Sequence, residues 1–214
     1  MYNLYHGEVQ EGKHVDEVLR EYFPDFIYKG VFFDVGAYEP VNISNSYHFE
    51  KNGWETYLFE ANTDRIEELK SQRKNVFNYA IADTNIDDIV FNVVYAGYGG
   101  GSGTGGLSAI NLDPLYLQIF GSHHPTKQIK VHQRTLNTII ENEIKKDKID
   151  ILSIDVEGGE LNVLKGLDLN KYSPQIICVE NVFNNQDIYN YLLRRNYVLD
   201  KHIDYNQYYK LIRF

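Results

Sequence analysis

The apolar positions of the chain follow two rhythms. From Lys13 to Phe23 they fall at Val15, Val18, Leu19, Tyr22 and Phe23, the spacing of one helical face, and Pro24 ends the run. Short apolar runs then recur at Val31–Gly36, Thr56–Glu60, Val76–Ile81, Ile149–Asp155 and Gln175–Glu180. Runs of this length, bounded by turn signals, predict buried strands. Asp88–Tyr95 and Gln128–Gln133 predict two more. Helices are predicted over Ser44–Asn52 with Gly53 as its stop, Asp64–Gln72 capped by Asn62 or Thr63, Thr135–Glu143, about Gly159–Leu164, and Asp187–Arg195. Tyr197–Ile203 and Tyr208–Phe214 read as a closing antiparallel pair.

Strands that alternate with helices imply a mostly parallel sheet covered on both faces. The expected architecture is an α/β, Rossmann-like three-layer sandwich, doubly wound, with one antiparallel edge strand. Neither an internal repeat nor a second domain is visible, so 1–214 is expected to be a single domain. It would carry an N-terminal helical segment over 1–29 and an insertion or lid over about 96–130. The glycine-rich run 97–106 and Leu107-Ser108-Ala109-Ile110 are expected to gate an acceptor, mobile until ligand orders them.

Composition narrows the class. The net charge of -9 argues against a nucleic-acid partner, because neutralising phosphates requires a basic face. Tyr 18 and Phe 11 predict an aromatic core. A single cysteine, Cys178, excludes an intrachain disulfide and suits a reducing cytosol. There is no run of 18 apolar residues and no signal-peptide pattern at the start, so a cytoplasmic location without a membrane span is expected.

In an open α/β sheet, ligands bind beyond the carboxyl ends of the strands. Those ends carry Asp34, Glu60, Asp83, Asp155 and Glu180. Carboxylates gathered at one rim repel one another and need a ligand, a cation or hydrogen-bond donors to offset that. In Phe33-Asp34-Val35-Gly36-Ala37, Gly36 allows the backbone to approach a ligand. One glycine is not the G-x-G-x-x-G turn that holds a pyrophosphate, which weakens the case for a dinucleotide. A cofactor with an amino-acid tail suits Asp34 better, since a carboxylate can meet an ammonium. Glu60 is placed for ribose hydroxyls and Asp83 for an adenine amino group, although a plain turn residue explains Asp83 as well. Asn62 borders the same rim. Ser44-Asn45-Ser46-Tyr47 reads as a polar helix start facing the cleft, with Asn45 in reach of cofactor or acceptor. Farther on, an apolar strand delivers Asp155 to the rim, and Gly158-Gly159 turn the chain into a helix with Glu157 and Glu160 near its start. A group this acidic suits a cation: a metal, or the sulfonium and ammonium of S-adenosylmethionine.

These stretches resemble the FkbM-type methyltransferases. The resemblance rests on Phe33-Asp34-Val35-Gly36-Ala37, Phe59-Glu60-Ala61-Asn62, Thr135-Leu136-Asn137-Thr138-Ile139, Val179-Glu180 and, most specifically, Ile154-Asp155-Val156-Glu157-Gly158-Gly159-Glu160 with Val163-Leu164-Lys165-Gly166. It implies a class I methyltransferase fold with a seven-stranded sheet. It also implies S-adenosylmethionine as cofactor and O-methylation of a sugar, glycan or other small-molecule acceptor. By position, Asp34, Gly36 and Ala37 would line the methionine part, Glu60 the ribose and Asp83 the adenine, with Asp155 beside the methyl donor. Tyr38 and Pro40 depart from the Asn and second Gly usual in the first turn, and Asn137 from a usual acid.

A hydroxyl is a poor nucleophile, so a base beside it is expected. Asp155, Glu180 and His132 are the catalytic candidates, and Glu157, Ser108, His123 and His124 the acceptor-binding ones. Without a His-Glu-x-x-His element or a cysteine pair, structural zinc is not expected. A Mg²⁺ held by Asp155 and Glu180 stays open. Two alternatives share the fold: a non-catalytic nucleoside-cofactor-binding module and, less favoured, an NAD-dependent oxidoreductase.

Overall fold

The computed structural model describes residues 4–94, 108–110 and 126–212. The predicted glycine-rich gate over 97–106, and His123 and His124, lie outside the described residues.

A two-stranded ribbon, β1 (Val9–Gln10) and β2 (Lys13–His14), leads into α1 (Val15–Glu21). Then come β3 (Val31–Val35), α2 (Tyr47–Lys51), β4 (Glu55–Phe59), α3 (Thr63–Gln72) and β5 (Val76–Phe77). Next are β6 (Ala80–Ile81), β7 (Ile86–Val94) and β8 (Thr126–Arg134). A short helix, α4 (Leu136–Ile139), continues as a π-helical turn over Ile140–Ile144. The chain closes with β9 (Ile151–Ile154), α5 (Glu160–Lys165), α6 (Leu169–Tyr172), β10 (Ile176–Glu180), α7 (Gln186–Leu193), β11 (Tyr197–Ile203) and β12 (Asn206–Leu211).

Seven strands form the main sheet in the order β11-β12-β10-β9-β3-β4-β5. From β10 to β5 every pairing is parallel, whereas β12 runs antiparallel to both β10 and β11. The reversed strand therefore lies second from the edge, not at the edge as the sequence suggested. The cause is local. The crossover through α7 lays β11 down in the common direction at the outside, and a tight turn at Asp204-Tyr205 returns β12 into the gap beside β10. Asp204 takes the positive φ of 50° that such hairpin turns need.

Alternate residues of each central strand face opposite layers. Phe33, Val35, Leu152, Ile154, Ile177 and Val179 pack with Leu136, Val163, Leu164, Ile188 and Leu192 from the later helices. Phe32, Ile151, Ile176 and Cys178 pack on the other side with Val15, Leu19, Phe49 and Trp54. Helices cover both faces, and the central strands are apolar on both.

The predicted strand Val76–Ile81 divides in two. Asn78 donates its side-chain amide to the carbonyls of Glu60 and Ala61, and the chain turns off the sheet there. Beyond it, β6 joins a separate three-stranded sheet in the order β6-β8-β7. In that sheet β7 and β8 pair antiparallel from Ile86↔Gln133 to Val94↔Thr126. Ala109 bridges back to Asn92 with N–H···O contacts of 2.9 and 3.1 Å.

Candidate active site

Register brings the site together. Val35 pairs with Phe59 on one side and Ile154 on the other, and Ile154 pairs with Val179. The next residues along these four strands, Gly36, Glu60, Asp155 and Glu180, therefore stand at one level at the carboxyl rim. The polypeptide departs sharply there. Gly36 has a φ of +89°, and both its N–H and that of Ala37 donate to the Phe59 carbonyl at 2.9 and 3.2 Å.

Beyond this rim lies a cavity of about 270 Å³. Asp34, Gly36, Ala37, Asn45, Glu60, Asn62, Asp83, Ser108, Asp155, Glu157 and Glu180 all border it. One flank is apolar, made by Ala61, Ala80, Ile81, Ala82, Phe91 and Ile110. The second sheet holds that flank in place, because Ala61, Ala80, Phe91, Val93 and Val131 form its own small core.

Glu60 is buried, and both its carboxylate oxygens are already held. Oε2 accepts the Tyr38 N–H at 2.9 Å and Oε1 the Asn62 N–H at 2.6 Å. Burial pushes its carboxyl upward, and those two N–H groups and Arg65 pull the other way. Asn62 caps α3 by accepting the Asp64 N–H at 3.0 Å through Oδ1. Its Nδ2 is buried without a partner among the described residues, at the cavity wall. An orphaned amide donor in a cavity wall is costly unless a ligand or water accepts from it.

Asp34 is 3% exposed and accepts a short hydrogen bond from the Ser46 hydroxyl. Burial raises its carboxyl, opposed by Ser46 and by Arg73. Asn45 donates to Ser153 Oγ at 3.3 Å, and its Oδ1 is buried without a partner among the described residues.

Asp155, Glu157 and Glu180 place carboxylate oxygens within 4.8 Å of one another, a spacing that a metal or an organic cation could bridge. Burial pushes the Asp155 carboxyl well above the usual range, and Glu180, Glu157, Glu8 and Glu160 add to that. Glu157 sits at φ 59° and Gly158 at φ 103°, in the turn between β9 and α5. Glu160 is spent on that turn, its Oε1 accepting the N–H groups of Gly158 at 2.8 Å and Val156 at 3.3 Å.

His132 does not join the group. It points outward from β8, exposed, with Nδ1 3.1 Å from Asp87. Successive strand residues face opposite sides, so its neighbour Gln133 lines the cavity and donates to Thr84 O and Oγ1 at 3.0 and 2.8 Å. Glu8, Tyr79, Phe91 and Asn162 also line the cavity and were not anticipated. Gln133 was detectable from strand alternation. Glu8 carried no local signal, because the ribbon β1–β2 brings it to the rim.

Sheet order sets the turn glycine and the strand-end acids at the carboxyl rim of an α/β sheet, the place where such folds bind ligands. Residues 34–199 match the model of the Methyltransferase FkbM domain, well over half of the chain, and the protein belongs to that family. No curated protein and no solved structure matches the chain. No helix among the described residues is long and apolar enough to cross a membrane.

Proposed function

We propose that the protein is an S-adenosylmethionine-dependent O-methyltransferase whose acceptor is a hydroxyl of a sugar, glycan or related small molecule. The observation that supports this most is the common level of Gly36, Glu60, Asp155 and Glu180 around one cavity. The residues suit an adenosyl cofactor. They offer a carboxylate fixed by two N–H groups, an unpartnered Asn62 amide and an apolar flank for a base. At the centre, a crowd of acids needs a positive charge.

When bound, S-adenosylmethionine supplies a methyl group on a sulfonium, open to in-line displacement by an oxygen nucleophile. Glu60 is assigned to the ribose hydroxyls, and Asp34, Gly36, Ala37 and Asn45 to the amino-acid part. Asn62 offers a donor to the nucleoside, and Asp83 with the alanine flank faces the adenine. Asp155 takes the acceptor's proton, since a carboxyl with a raised pKa works as a base closer to neutral pH. Burial keeps it there, with repulsion from Glu180 and Glu157, and Glu157 and Ser108 are assigned to the acceptor side. Mg²⁺ is not required by this reading.

Calorimetry with S-adenosylhomocysteine on the wild type and Glu60→Ala tests the cofactor. The wild type should bind, and the substitution should weaken binding by about 1–3 kcal/mol through loss of a charged acceptor. A wild type that does not bind would overturn the proposal. Transfer of labelled methyl to a panel of sugars tests the acceptor, and label found only on nitrogen or on carboxylate oxygens would exclude a hydroxyl acceptor.

A further inference from the structure

Ser46 stands at the N-cap of α2, where a serine hydroxyl ordinarily accepts an N–H of the first helical turn. It makes no such cap. The hydroxyl donates to Asp34 Oδ2 and accepts from Arg73 Nη2 at 2.9 Å. Arg73 follows α3, and its side chain is 0% exposed. Its Nε donates to Glu50 Oε2 at 2.9 Å, and its Nη1 to the Pro40 carbonyl at 2.8 Å and to Ser44 Oγ at 3.0 Å.

Arg73 does not border the cavity, and Asp34 does. Two hydrogen bonds thus connect a guanidinium outside the cavity to a carboxylate in its wall. Pro40, Ser44 and Glu50 would suffice to fasten the segment that follows the Gly36 turn. The link through Ser46 ties the same segment once more and forgoes a helix cap. It does fix one oxygen of Asp34, with a donor that is itself polarised by a cation.

We propose that Arg73 and Ser46 are positioning residues for Asp34: the Ser46 hydroxyl, held by Arg73, and the Ser46 N–H both bond its carboxylate and orient it toward the ammonium of the cofactor's amino-acid part. The inference rests on the cofactor reading above and goes further, by naming what makes the site selective for an amino-acid tail. Neither residue touches the ligand in this scheme. Their contribution is the orientation and charge of Asp34.

Two ligands separate this role from a scaffolding one. S-adenosylhomocysteine carries the ammonium, and 5′-methylthioadenosine has the same nucleoside without the amino acid. Affinities for both are measured by calorimetry on wild type, Ser46→Ala, Arg73→Lys and the double variant, with melting curves to verify folding. The single variants should weaken S-adenosylhomocysteine by about 10-fold and leave methylthioadenosine within about 2-fold. The double variant should lose little beyond the worse single, because the two residues act in one chain. Equal weakening of both ligands would make the pair a loop scaffold and overturn the inference, as would no weakening of either. If Arg73→Lys does not fold, Ser46→Ala, which removes one oxygen, carries the test. A wild type that binds neither ligand overturns the cofactor reading and this inference together, and is seen before any variant is compared.

Discussion

A β-carbon on residue 36 would sit 1.6 Å from the carbonyl oxygen of Asp155. Gly36 is thus required twice, by its positive φ and by the closeness of the two strand ends. Gly36→Ala should destabilise the fold by at least about 3 kcal/mol, because the carbonyl it meets is backbone directly after the central strand β9. Urea unfolding measures this, and a loss below 1 kcal/mol would mean that the two turns are farther apart than described.

Burial raises the Asp155 carboxyl, and the charges of Glu180, Glu157, Glu8 and Glu160 raise it further. Asp155→Asn removes the repulsion and keeps the shape. The unliganded variant should melt higher than the wild type at pH 7.5, by about 1–2 kcal/mol of added stability, while methyl transfer is lost. A variant that melts lower would show that the carboxylate is already compensated without ligand.

The dependence of stability on pH has a definite sign. The Asp16 carboxyl, 0% exposed in the first turn of α1, is pushed up by burial to about 6 despite accepting the His6 and Gly7 N–H groups at 2.8 and 3.0 Å. Asp34, Glu60 and Glu160 are raised by burial too. In the unfolded chain such groups titrate near about 4. The folded protein therefore holds protons that it releases on unfolding. Their contribution is full below pH ~4 and is lost as the pH rises through the raised values. His6 and His48, held low by burial, work the other way below about pH 6.5, but the raised carboxyls outnumber them, so the unliganded protein should melt higher at pH 5.5 than at pH 7.5. The carboxylates held low by partners, Glu21 beside Lys201 and Asp87 beside Arg134, lose their contribution only at more acid pH. A melting temperature that climbs from pH 5.5 to 7.5 would contradict this.

His132 and Gln133 are adjacent in sequence and opposite in direction. His132→Ala should leave the affinity for S-adenosylhomocysteine and the melting temperature unchanged, since only an exposed contact with Asp87 is lost. Gln133→Ala should lower stability by about 1 kcal/mol, through its lost bonds to Thr84, and weaken the ligand. The reverse pattern would place the outward face of β8 at the site.

The rim was legible in sequence because each acid ends an apolar run. A buried strand has few ways to finish, and parallel register aligns the ends, so Asp34, Glu60, Asp155 and Glu180 could be read in one dimension. The split after Phe77 was not legible, because Asn78 acts through carbonyls of Glu60 and Ala61 on another strand. Arg73 was hidden for the same reason. It follows a surface helix like any basic residue, and only the packed structure buries it among Pro40, Ser44, Ser46 and Glu50. His132 was misjudged by one position, which on a strand reverses the face. The place of β12 inside β11 depended on how a hairpin folds back, and periodicity does not encode that.

Val94 and Thr126 are Cα partners at the end of the β7–β8 pair. The chain therefore leaves this sheet and re-enters it at the same doorway. Loop-closure cost grows only slowly with length, by about 0.6 kcal/mol per doubling. What spans that doorway can be lengthened with little closure penalty to the sheet, provided that Ala109 keeps its two bonds to Asn92. A change of length between Val94 and Thr126 would therefore leave the pairing of β7 with β8 standing.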